Sequence, residues 1–434
     1  MRRSPTRANS LVGDSGTFDS PEPRLPAPKR TGIKVILLYP MDLLGSKEGG
    51  TETFIRGFIK HAPEDFDLEF VGVTSDRRDR PPRRAQIVSI DGRTVLFRPM
   101  IFVRDENRRG KIPVSLRFAL ALLIFRLRTG RAVLLFNRIE PAIFFPRGGN
   151  AKVGFVHTDI PRQCVPGKTD VLWARWPRAY SRLERWTVRR FEAVFSVSQS
   201  TLDLYRRRYP SQAGKMSFLP TLVDPDVFAA RTGSKDEVRS LLLRTHPGLP
   251  TGGPWILFVG RLQVVKAPFR AVDGFREYLR AQGEGALIII GEGNLKERLA
   301  AHIRRLGLDT KVFLLGDMRQ DELALFYRAA DVMLLTSHYE GMPCCVLGAL
   351  GSGTPVITTD VGEVRRVVRE GRSGEIMDGE AANIGAALIR VIGEPDSYAA
   401  RHCIDSVADY TPEKVLRPVF EKIRELQAGL AGGA

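Results

Sequence analysis

Short, nearly continuous apolar runs alternate with amphipathic stretches through the first half of the chain. Such runs are typical of strands that are buried on both faces of a parallel sheet. They occupy residues 33–39, 68–73, 131–136, 152–156 and 191–197. After the first run, a glycine-bearing loop at 45–50 precedes a helical pattern at 51–60, with Thr51 as its predicted N-cap. Strands that alternate with helices predict a doubly wound α/β sheet.

The same alternation restarts after a polar junction rich in proline and glycine, at residues 224–253. Two α/β units of similar design leave a cleft between them, where ligands usually bind. Thr411 and Pro412 open a last helix, which we expect Pro418 to kink. The second half is predicted to hold strands at 255–259, 286–290, 312–315, 332–336 and 356–358, and helices at 270–280, 295–306 and 320–328.

Composition and charge limit the class of protein. The chain has 434 residues, which is enough for two domains, and a formal net charge of +17. This excess indicates an anionic partner such as a membrane surface or an anionic substrate. No nucleic-acid-binding signature is present, so we do not expect nucleic acid as a partner. Residues 1–30 have few apolar positions and predict a disordered basic tail without the apolar core of a signal peptide.

Cysteine and histidine residues are too scattered for a metal site or a disulfide framework. The four cysteines form no CxxC pair, and the six histidines lack metal-ligand spacing. We therefore expect no metal and a reducing, cytoplasmic environment. The longest apolar run, at 112–125, is interrupted by Pro113 and Arg117 and is too short to span a membrane.

The most informative stretch lies at 337–360, where a loop, a short helix, a turn and a buried strand follow one another. Glu340 closes the loop, and Pro343 suits the first turn of the helix. Glycine and proline end that helix before a β-branched strand. This order presents free backbone N–H groups and one carboxylate toward a common point, which suits a ligand with both phosphates and hydroxyls.

The stretch resembles the donor-binding signature of the family 4 retaining glycosyltransferases. Residues 255–266 likewise resemble that family's segment of a strand, Gly-Arg-Leu, a loop and a lysine. The resemblance covers about residues 33–426 and implies two Rossmann-like domains facing a cleft (the GT-B type), with a C-terminal helix that crosses back to the first domain. The implied division is a tail at 1–30, an acceptor-side domain at 31–224, a donor domain at 225–405, and a crossover helix and tail at 406–434.

The resemblance also implies roles for individual residues. Arg261 and Lys266 would neutralise the leaving diphosphate, whose charge grows as the sugar departs. Glu340 would reach a hydroxyl of the donor sugar, and His157, at a strand end, would face that sugar. The family needs no metal, and its donor is a nucleotide sugar. The other donor-binding candidates are Gly49, Gly50, Gly260, Gly291, Gly341, Met342, Pro343, Cys344, Cys345 and Val346.

Simpler interpretations stand beside these roles. The two cations could be solvated loop charges, Glu340 could cap its helix, and His157 could be an ordinary hydrogen-bonded residue. The sequence also departs from the family at Gly348, where the family has a second glutamate that grips the ribose hydroxyls. Loss of those contacts would cost about 1–3 kcal/mol of donor affinity.

Asn137, Arg138 and Glu140 follow a predicted strand and are candidates for the acceptor side, because some relatives carry a similar Arg-Ile-Glu-Pro run.

A basic stripe is predicted on one helix, beside an apolar stripe with two tryptophans. This combination suits an anionic membrane surface, although a solvated face over a packed core would explain it too. Its members are Arg175, Trp176, Arg178, Arg182, Arg185, Trp186 and Arg189. A second basic region surrounds residues 116–125 and contains Arg104, Arg108, Arg109, Lys111, Arg117, Arg126, Arg128 and Arg131.

The sequence thus predicts a retaining glycosyltransferase that moves a sugar from a nucleotide sugar to a glycan or lipid-linked acceptor, in cell-surface polysaccharide synthesis on the inner face of the plasma membrane. Two alternatives remain: a sugar-phosphate or trehalose-type transferase of the same fold, and a catalytically silent binding subunit. Which sugar, base and acceptor are used, and which oligomer forms, does not follow from the residues.

Overall fold

The computed structural model describes residues 32–45, 49–104, 112–125, 127–145, 149–157, 177–229, 233–282 and 284–432. Within these residues the strands form two sheets, one of eight strands and one of six. The tail predicted at 1–30 lies outside the described residues, as do Arg108, Arg109, Lys111, Arg126, Arg175 and Trp176.

The first sheet has the strand order β3-β4-β2-β1-β5-β6-β7-β8. Every neighbouring pair is parallel except β3 and β4, which form an antiparallel hairpin. All five predicted strands of this half are present. The strands are β1 (Ile33–Leu38), β2 (Phe66–Thr74), β3 (Gln86–Ile90), β4 (Arg93–Phe102), β5 (Ala132–Phe136), β6 (Asn150–Val156), β7 (Ala193–Ser196) and β8 (Met216–Phe218).

Four α-helices accompany this sheet in the described residues. The prediction that Thr51 caps the first of them is wrong, because the helix begins at Gly50 and its N-cap, Gly49, makes no side-chain cap bond. They are α1 (Gly50–His61), α2 (Val114–Ile124), α3 (Pro177–Val188) and α4 (Gln199–Arg208), with 3₁₀ helices at Glu140–Phe144 and Pro210–Lys215.

The second sheet is entirely parallel, in the order β11-β10-β9-β12-β13-β14. The five predicted strands of this half are all found, and the edge strand β14 is additional. The strands are β9 (Trp255–Val259), β10 (Ala286–Ile290), β11 (Val312–Gly316), β12 (Val332–Leu335), β13 (Val356–Thr359) and β14 (Gly374–Met377).

The segment predicted as a polar junction, 224–253, contains two helices instead. The longer one is stabilised by a capping box, in which Ser234 and Glu237 bond each other's backbone N–H groups. The remaining helices are α5 (Pro225–Phe228), α6 (Lys235–Thr245), α7 (Pro268–Gln282), α8 (Lys296–Arg305), α9 (Gln320–Ala329), α10 (Cys344–Gly351), α11 (Val364–Val367), α12 (Ala381–Gly393), α13 (Ala400–Ser406) and α14 (Pro412–Gly432), with a 3₁₀ turn at Val264–Lys266.

Alternate side chains of the central strands enter hydrophobic clusters on opposite sides of each sheet. In β1, Val35 lies in one cluster and Ile36 in the other, and in β9 Leu257 and Phe258 divide in the same way. Both sheets are therefore covered on two faces, as a doubly wound fold requires. The predicted fold class is confirmed.

The C-terminal helix α14 returns to the first domain. Phe420 packs edge-on against Phe58 and Phe66, with ring centroids 5.4 and 5.7 Å apart. Arg424 adds an exposed ion pair with Asp65 at 2.9 Å. The helix continues through Pro418 as one element. The helix follows the second domain along the chain and packs on the first, so it is a further connection between the two.

Candidate active site in the interdomain cleft

A cavity of ≈ 260 Å³ lies between the carboxyl ends of the two sheets. Such ends are where doubly wound folds bind ligands. Residues from both domains line it, including His157 after β6 and Arg261 after β9. Of the fourteen predicted catalytic and donor-binding residues, all but Val346 line this cavity. The side chain of Val346 is fully buried, and its amide donates to the Pro343 carbonyl at 3.1 Å.

Arg261 lies in the cleft next to two closely packed turns, which contain Gly260 and Gly291. A Cβ on Gly291 would lie 2.1 Å from the carbonyl oxygen of Gly260, so the turns after β9 and β10 are packed too closely for any side chain there. Both glycines have positive φ, at 158° and 142°. Arg261 is exposed, and no ion pair or hydrogen bond of its side chain is found in the described part of the chain. Its guanidinium is therefore available to an anionic ligand.

Lys266 and Glu340 form a half-buried ion pair in the cleft wall. Lys266 Nζ lies 2.6 Å from Glu340 Oε1, and the Ser337 hydroxyl donates to the same oxygen at 2.6 Å. Burial opposes the charge of Lys266, but the Glu340 carboxylate outweighs it, and the pKa of Lys266 is raised above its ordinary value. Lys266 thus remains cationic at a fixed position. The next residue, Ala267, has φ +47° and is held by Thr336 Oγ1 at 3.0 Å.

The N-terminus of α10 faces the same space. Pro343 is its N-cap, and Cys344 and Cys345 form the first turn and line the cleft. The first amides of a helix have no intrahelical acceptor and attract anions. Burial raises the pKa of Cys344 to about 12 and that of Cys345 to about 11, so both thiols remain neutral. They contribute no negative charge to a place that would hold phosphate.

His157 is held by Asn137 at the first-domain wall. The distance from His157 Nε2 to Asn137 Oδ1 is 2.9 Å, and the ring packs edge-on to Phe54 at 5.3 Å. Since an amide oxygen only accepts, Nε2 carries the proton and Nδ1 is the acceptor nitrogen. Burial lowers the pKa of His157 to about 4. The imidazole is therefore neutral at physiological pH.

The glycine pair after β1 brings the two domains into contact. Gly49 and Gly50 line the cleft, and a Cβ on Gly50 would lie 3.2 Å from Cys344 Sγ. Gln320 of α9 donates to Thr53 of α1 at 2.6 Å, which fixes the same edge of the cleft. Residues 46–48 of the loop lie outside the described residues.

Gly348 leaves room under α10 that two aromatic rings occupy. A Cβ at this position would lie 3.0 Å from the Tyr327 ring and 3.3 Å from the Phe228 ring. Tyr327 is 1% exposed and lines the cleft, and its hydroxyl has no hydrogen-bond partner among the residues that the structure describes. Burial raises its pKa well above the ordinary value, so the hydroxyl is a neutral donor. A buried hydroxyl without a partner at a ligand cavity indicates that the ligand supplies one.

The acceptor-side candidates lie next to the cleft and do not line the cavity. Asn137 is buried and positions His157, and Arg138 is half-buried. Glu140 begins the 3₁₀ helix Glu140–Phe144, and its side chain is outside the described set.

None of the described membrane candidates lines the cavity. Three arginines of α3 are exposed, as are Arg189, which directly follows the helix, and Trp186, whose ring centroid lies 3.2 Å from the Arg190 guanidinium. The four arginines are Arg178, Arg182, Arg185 and Arg189.

Sequence reasoning missed several cleft residues. Tyr327, Gln320 and Thr53 lie inside helices, where they read as ordinary surface or core positions. Asp317 also lines the cleft; burial raises its pKa, and one oxygen accepts from the Glu292 amide at 2.8 Å. It follows strand β11, so its place at a strand end was the one available signal.

No group of three His, Cys, Asp or Glu side chains suited to a metal ion occurs among the described residues. In the same part of the chain, no helix is both long and apolar enough to cross a bilayer.

Comparison with known proteins agrees with the geometry of this cleft. The family model described as Glycosyl transferases group 1 matches residues 242–403, and that of Glycosyltransferase Family 4 matches residues 48–227. Together they cover strands β2 to β14 and most of the residues that line the cleft. The chain belongs to the group 1, family 4 glycosyltransferases of the two-domain GT-B type.

Particular relatives differ in their substrates. The chain is 26% identical to a D-inositol 3-phosphate glycosyltransferase of Acidothermus cellulolyticus over 84% of this chain and 83% of that protein. It is 26% identical to a 2-deoxystreptamine glucosyltransferase of Streptomyces kanamyceticus over 49% of this chain and 54% of that protein.

Solved structures show the same fold at low identity. Sucrose-phosphate synthase of Thermosynechococcus elongatus superposes with a TM-score of 0.74 at 18% identity, covering 92% of this chain and 100% of that one. Anabaena HepE in complex with UDP-glucose gives a TM-score of 0.65 at 16% identity, again over 92% and 100% of the two chains.

Proposed function

We propose that this glycosyltransferase transfers a sugar from a nucleoside-diphosphate sugar to a hydroxyl of a glycan or lipid-linked acceptor, with retention of the anomeric configuration and without a metal ion. The observation that carries the proposal is the convergence of Arg261, Lys266 and the N-terminus of α10 on one side of the cleft. Two cations and a helix N-terminus match the charge of a diphosphate.

The ion pair with Glu340 makes Lys266 a pre-positioned cation. Because the contact with Glu340 fixes its ammonium group, little reorganisation is needed when negative charge grows on the departing diphosphate. Arg261 adds a planar fork that matches phosphate oxygens. These residues supply charge stabilisation that a divalent cation supplies in other transferases, which is why we propose a metal-independent reaction.

The second carboxylate oxygen of Glu340 and the imidazole of His157 are suited to accept hydrogen bonds from the sugar. Glu340 Oε1 is occupied by Lys266 and Ser337, which leaves Oε2 as an acceptor for a sugar hydroxyl. His157 is neutral, with Nδ1 as its acceptor nitrogen. Both groups are acceptors of hydrogen bonds, and sugar hydroxyls are donors.

Tyr327 is proposed to hold the ribose. Gly348 lies four residues beyond Cys344, roughly 6 Å along the helix from the end that would bind phosphate. In a nucleoside diphosphate the pentose follows the phosphates directly, so its hydroxyls would lie beside Gly348 and the partnerless Tyr327 hydroxyl. One phenolic hydroxyl then replaces the contacts that a carboxylate at position 348 would make.

Retention is proposed to follow from attack on the same face as the leaving group. A bond forms between the acceptor oxygen and the anomeric carbon, the bond from that carbon to the phosphate oxygen breaks, and the acceptor proton passes to the departing phosphate. Glu340 is unsuited to act as a covalent nucleophile, because its carboxylate is engaged by Lys266 and Ser337.

A phosphorylated acceptor is the second candidate. The names of a D-inositol 3-phosphate glycosyltransferase and a sucrose-phosphate synthase among the similar proteins favour this class. Cell-surface polysaccharide synthesis remains our proposal for the neutral class of acceptors.

The proposal is tested by incubating the purified protein with a panel of nucleotide sugars, with and without EDTA, and measuring nucleoside diphosphate release. We expect slow hydrolysis of one donor that EDTA does not change, and proton NMR should show product with the donor's anomeric configuration. Arg261→Ala serves as the matched inactive control. An inverted product, or activity abolished by EDTA and restored by Mg²⁺, would refute retention or metal independence. No release and no binding of any nucleotide would favour a silent binding subunit.

A further inference from the structure

Helix α2 exposes an apolar face to solvent. Among the described residues eleven large apolar side chains are exposed, and six of them lie in the short stretch 112–125. Leu120 is 50% exposed and Ile124 61%. The six are Ile112, Leu116, Leu120, Leu123, Ile124 and Phe125. Contiguous apolar patches of this kind mark interaction surfaces.

The pattern of α2 explains why this face is left uncovered. Phe118, Ala121 and Leu122 point inward and belong to the core of the first domain. Leu116, Leu120 and Leu123 recur at spacings of four and three, which places them together on the outer side. A helix that is apolar on both sides needs a second apolar environment, and no described residue supplies it.

Cations surround this face. The Arg83 guanidinium lies 4.8 Å from the centroid of the Phe125 ring, and Arg117 donates to the Phe102 carbonyl at 3.1 Å. Arg128 and Arg131 are exposed just beyond the helix. The sequence contains no Asp or Glu from residue 107 to residue 139. The rim of the apolar face is therefore cationic, with no acidic residue within its own stretch of chain.

Helix α3 extends the cationic surface. Both α2 and α3 pack against the 3₁₀ helix Glu140–Phe144, which therefore supports both of them. The arginines of α3 point outward, whereas its one acid, Glu184, is buried and accepts hydrogen bonds from Tyr205 and Tyr209. Arg178, Arg182 and Arg185 of the predicted stripe are thus solvent-facing, on a helix that packs on the same 3₁₀ helix as α2.

We propose that this surface docks on an anionic lipid bilayer, with the outer face of α2 inserted at the headgroup boundary and the arginines of α3 on the lipid phosphates. The charge of the whole chain, +17, is complementary to such a surface. The eleven residues of α2 span roughly 16 Å, too short to cross a bilayer, so the helix lies in the interface. The sequence already predicted the arginine stripe, whereas the insertion of α2 is inferred from the structure.

The docking surface lies on the acceptor side of the cleft. The 3₁₀ helix that supports α2 and α3 follows β5 and Asn137, whose side chain holds His157 in the cavity. A lipid-linked acceptor would thus reach the cleft from the membrane side. The docking proposal itself rests on the surface and does not depend on the transfer reaction.

The test is co-sedimentation of the full chain with phosphatidylcholine vesicles, with and without phosphatidylglycerol, at low and high salt. Replacing Arg178, Arg182 and Arg185 together by Glu should weaken binding to the anionic vesicles roughly a hundredfold at low salt. Leu116→Ser, Leu120→Ser and Leu123→Ser combined should weaken it at least about tenfold at 0.15 M salt, where charge is partly screened and insertion dominates.

Matched variants carry the same changes elsewhere. Leu241→Ser with Ile404→Ser removes exposed apolar side chains of other helices, and the triple change of Arg298, Arg304 and Arg401 to Glu removes the same charge from the second domain. We expect both controls to sediment like the unaltered protein, and all variants to keep its thermal unfolding midpoint.

Vesicle binding by the leucine triple variant equal to that of the unaltered protein would overturn insertion of α2. Equal binding to neutral and anionic vesicles would overturn the role assigned to the arginines. The unaltered protein could instead fail to bind vesicles and form a dimer that the leucine variant cannot form. The apolar face would then be an interface between two copies, and the proposal would be wrong.

Discussion

The two walls of the cleft differ in charge and in how firmly their groups are held. On the second-domain wall Lys266 is fixed by Glu340 at 2.6 Å, and the Gly260 and Gly291 turns pack without space for a side chain. On the first-domain wall the described groups are neutral: glycine backbone, threonine hydroxyls and a histidine whose pKa is about 4. The exposed arginines of α3 belong to the first domain but lie outside the cleft lining.

This difference indicates a division of work between the domains. A diphosphate needs fixed cations, and the second wall has them in rigid turns. A sugar and its acceptor need neutral hydrogen-bonding groups, which the first wall has. The cations of the first domain lie outside the cleft, where they cannot compete for the donor phosphates but can meet an anionic surface.

The largest effect is expected from the fixed cation. Lys266→Ala should lower kcat by about 10²-fold or more, because it removes charge stabilisation from the leaving group and leaves Glu340 unpaired. Steady-state kinetics with the identified donor measures the change. Lys296→Ala removes a partly exposed lysine paired with Glu292 outside the cleft lining and is the matched control. Equal kcat in Lys266→Ala and Lys296→Ala would remove Lys266 from the mechanism.

A stability effect is expected where α1 meets the segment between the sheets. Asp224 accepts from Lys60 at 2.7 Å and bonds His61 at 3.1 Å; burial opposes its charge, but these partners lower its pKa to about 2. A carboxyl group whose pKa is lower in the folded state than in the unfolded state stabilises the folded protein at pH values above its unfolded pKa. This stabilisation is lost as the pH falls toward the folded pKa. Asp224→Asn should therefore cost about 2 kcal/mol of unfolding free energy at pH 7.

Denaturant unfolding at several pH values measures this cost. The difference between Asp224→Asn and the unaltered protein should shrink as pH falls from about 4 toward 2, over the span of the two pKa values. A difference that stays constant with pH would show that the Asp224 contacts act by packing alone. Asp226→Asn, at the exposed end of the same ion pair, should cost far less.

One substitution beside His157 should favour the protonated form of its imidazole. Asn137→Asp would place a carboxylate 2.9 Å from Nε2, which favours the imidazolium form and should raise the pKa of His157 by about 1–3 units. The acid limb of the pH profile of kcat/KM should then move up by the same amount. An unchanged limb would show that His157 does not titrate in the productive complex, whereas Asn137→Ser should leave the limb near its original pH.

The smallest effect concerns the ribose contact. Tyr327→Phe should weaken nucleoside diphosphate binding by about fivefold, which corresponds to the loss of one hydrogen bond. The affinity for a 2′,3′-dideoxy analogue, which lacks the ribose hydroxyls, should fall much less. The Gly348→Glu variant should also bind the nucleoside diphosphate more weakly, because the new Cβ would press on the rings of Tyr327 and Phe228. Calorimetric titration measures both. Tighter binding by Gly348→Glu would mean that the rings yield and that the site lacks a ribose contact.

Much of this architecture is readable from the sequence. The buried strands were found because continuous apolar runs such as 255–259 have no other common explanation, and the cleft residues Arg261 and Lys266 lie in motifs that fix their position relative to a strand. The β3–β4 hairpin was missed although Asp91-Gly92, with φ of 48° and 82°, is a hairpin turn signal. The capping box at Ser234 and Glu237 was a second missed signal.

Other features depend on contacts between distant residues and could not be derived from local sequence. Tyr327 is separated from Gly348 by twenty-one positions, and its partnerless hydroxyl is visible only after the two helices pack. The sequence marked 112–125 as a broken apolar run within a basic region, but not which side of α2 is exposed, because burial of one side and exposure of the other follow from its place in the fold. The pairing of His157 with Asn137 likewise depends on the neighbouring order of β5 and β6.

The central claim is that the second wall selects its ligand by diphosphate charge. It is tested most directly by calorimetric titration of the unaltered protein and of Arg261→Ala with Lys266→Ala combined, using a nucleoside, its monophosphate and its diphosphate. We predict that the unaltered protein prefers the diphosphate over the nucleoside by about 10²-fold or more, that the double variant loses most of this preference, and that the affinity for the nucleoside is unchanged. A preference that survives in the double variant would contradict the account.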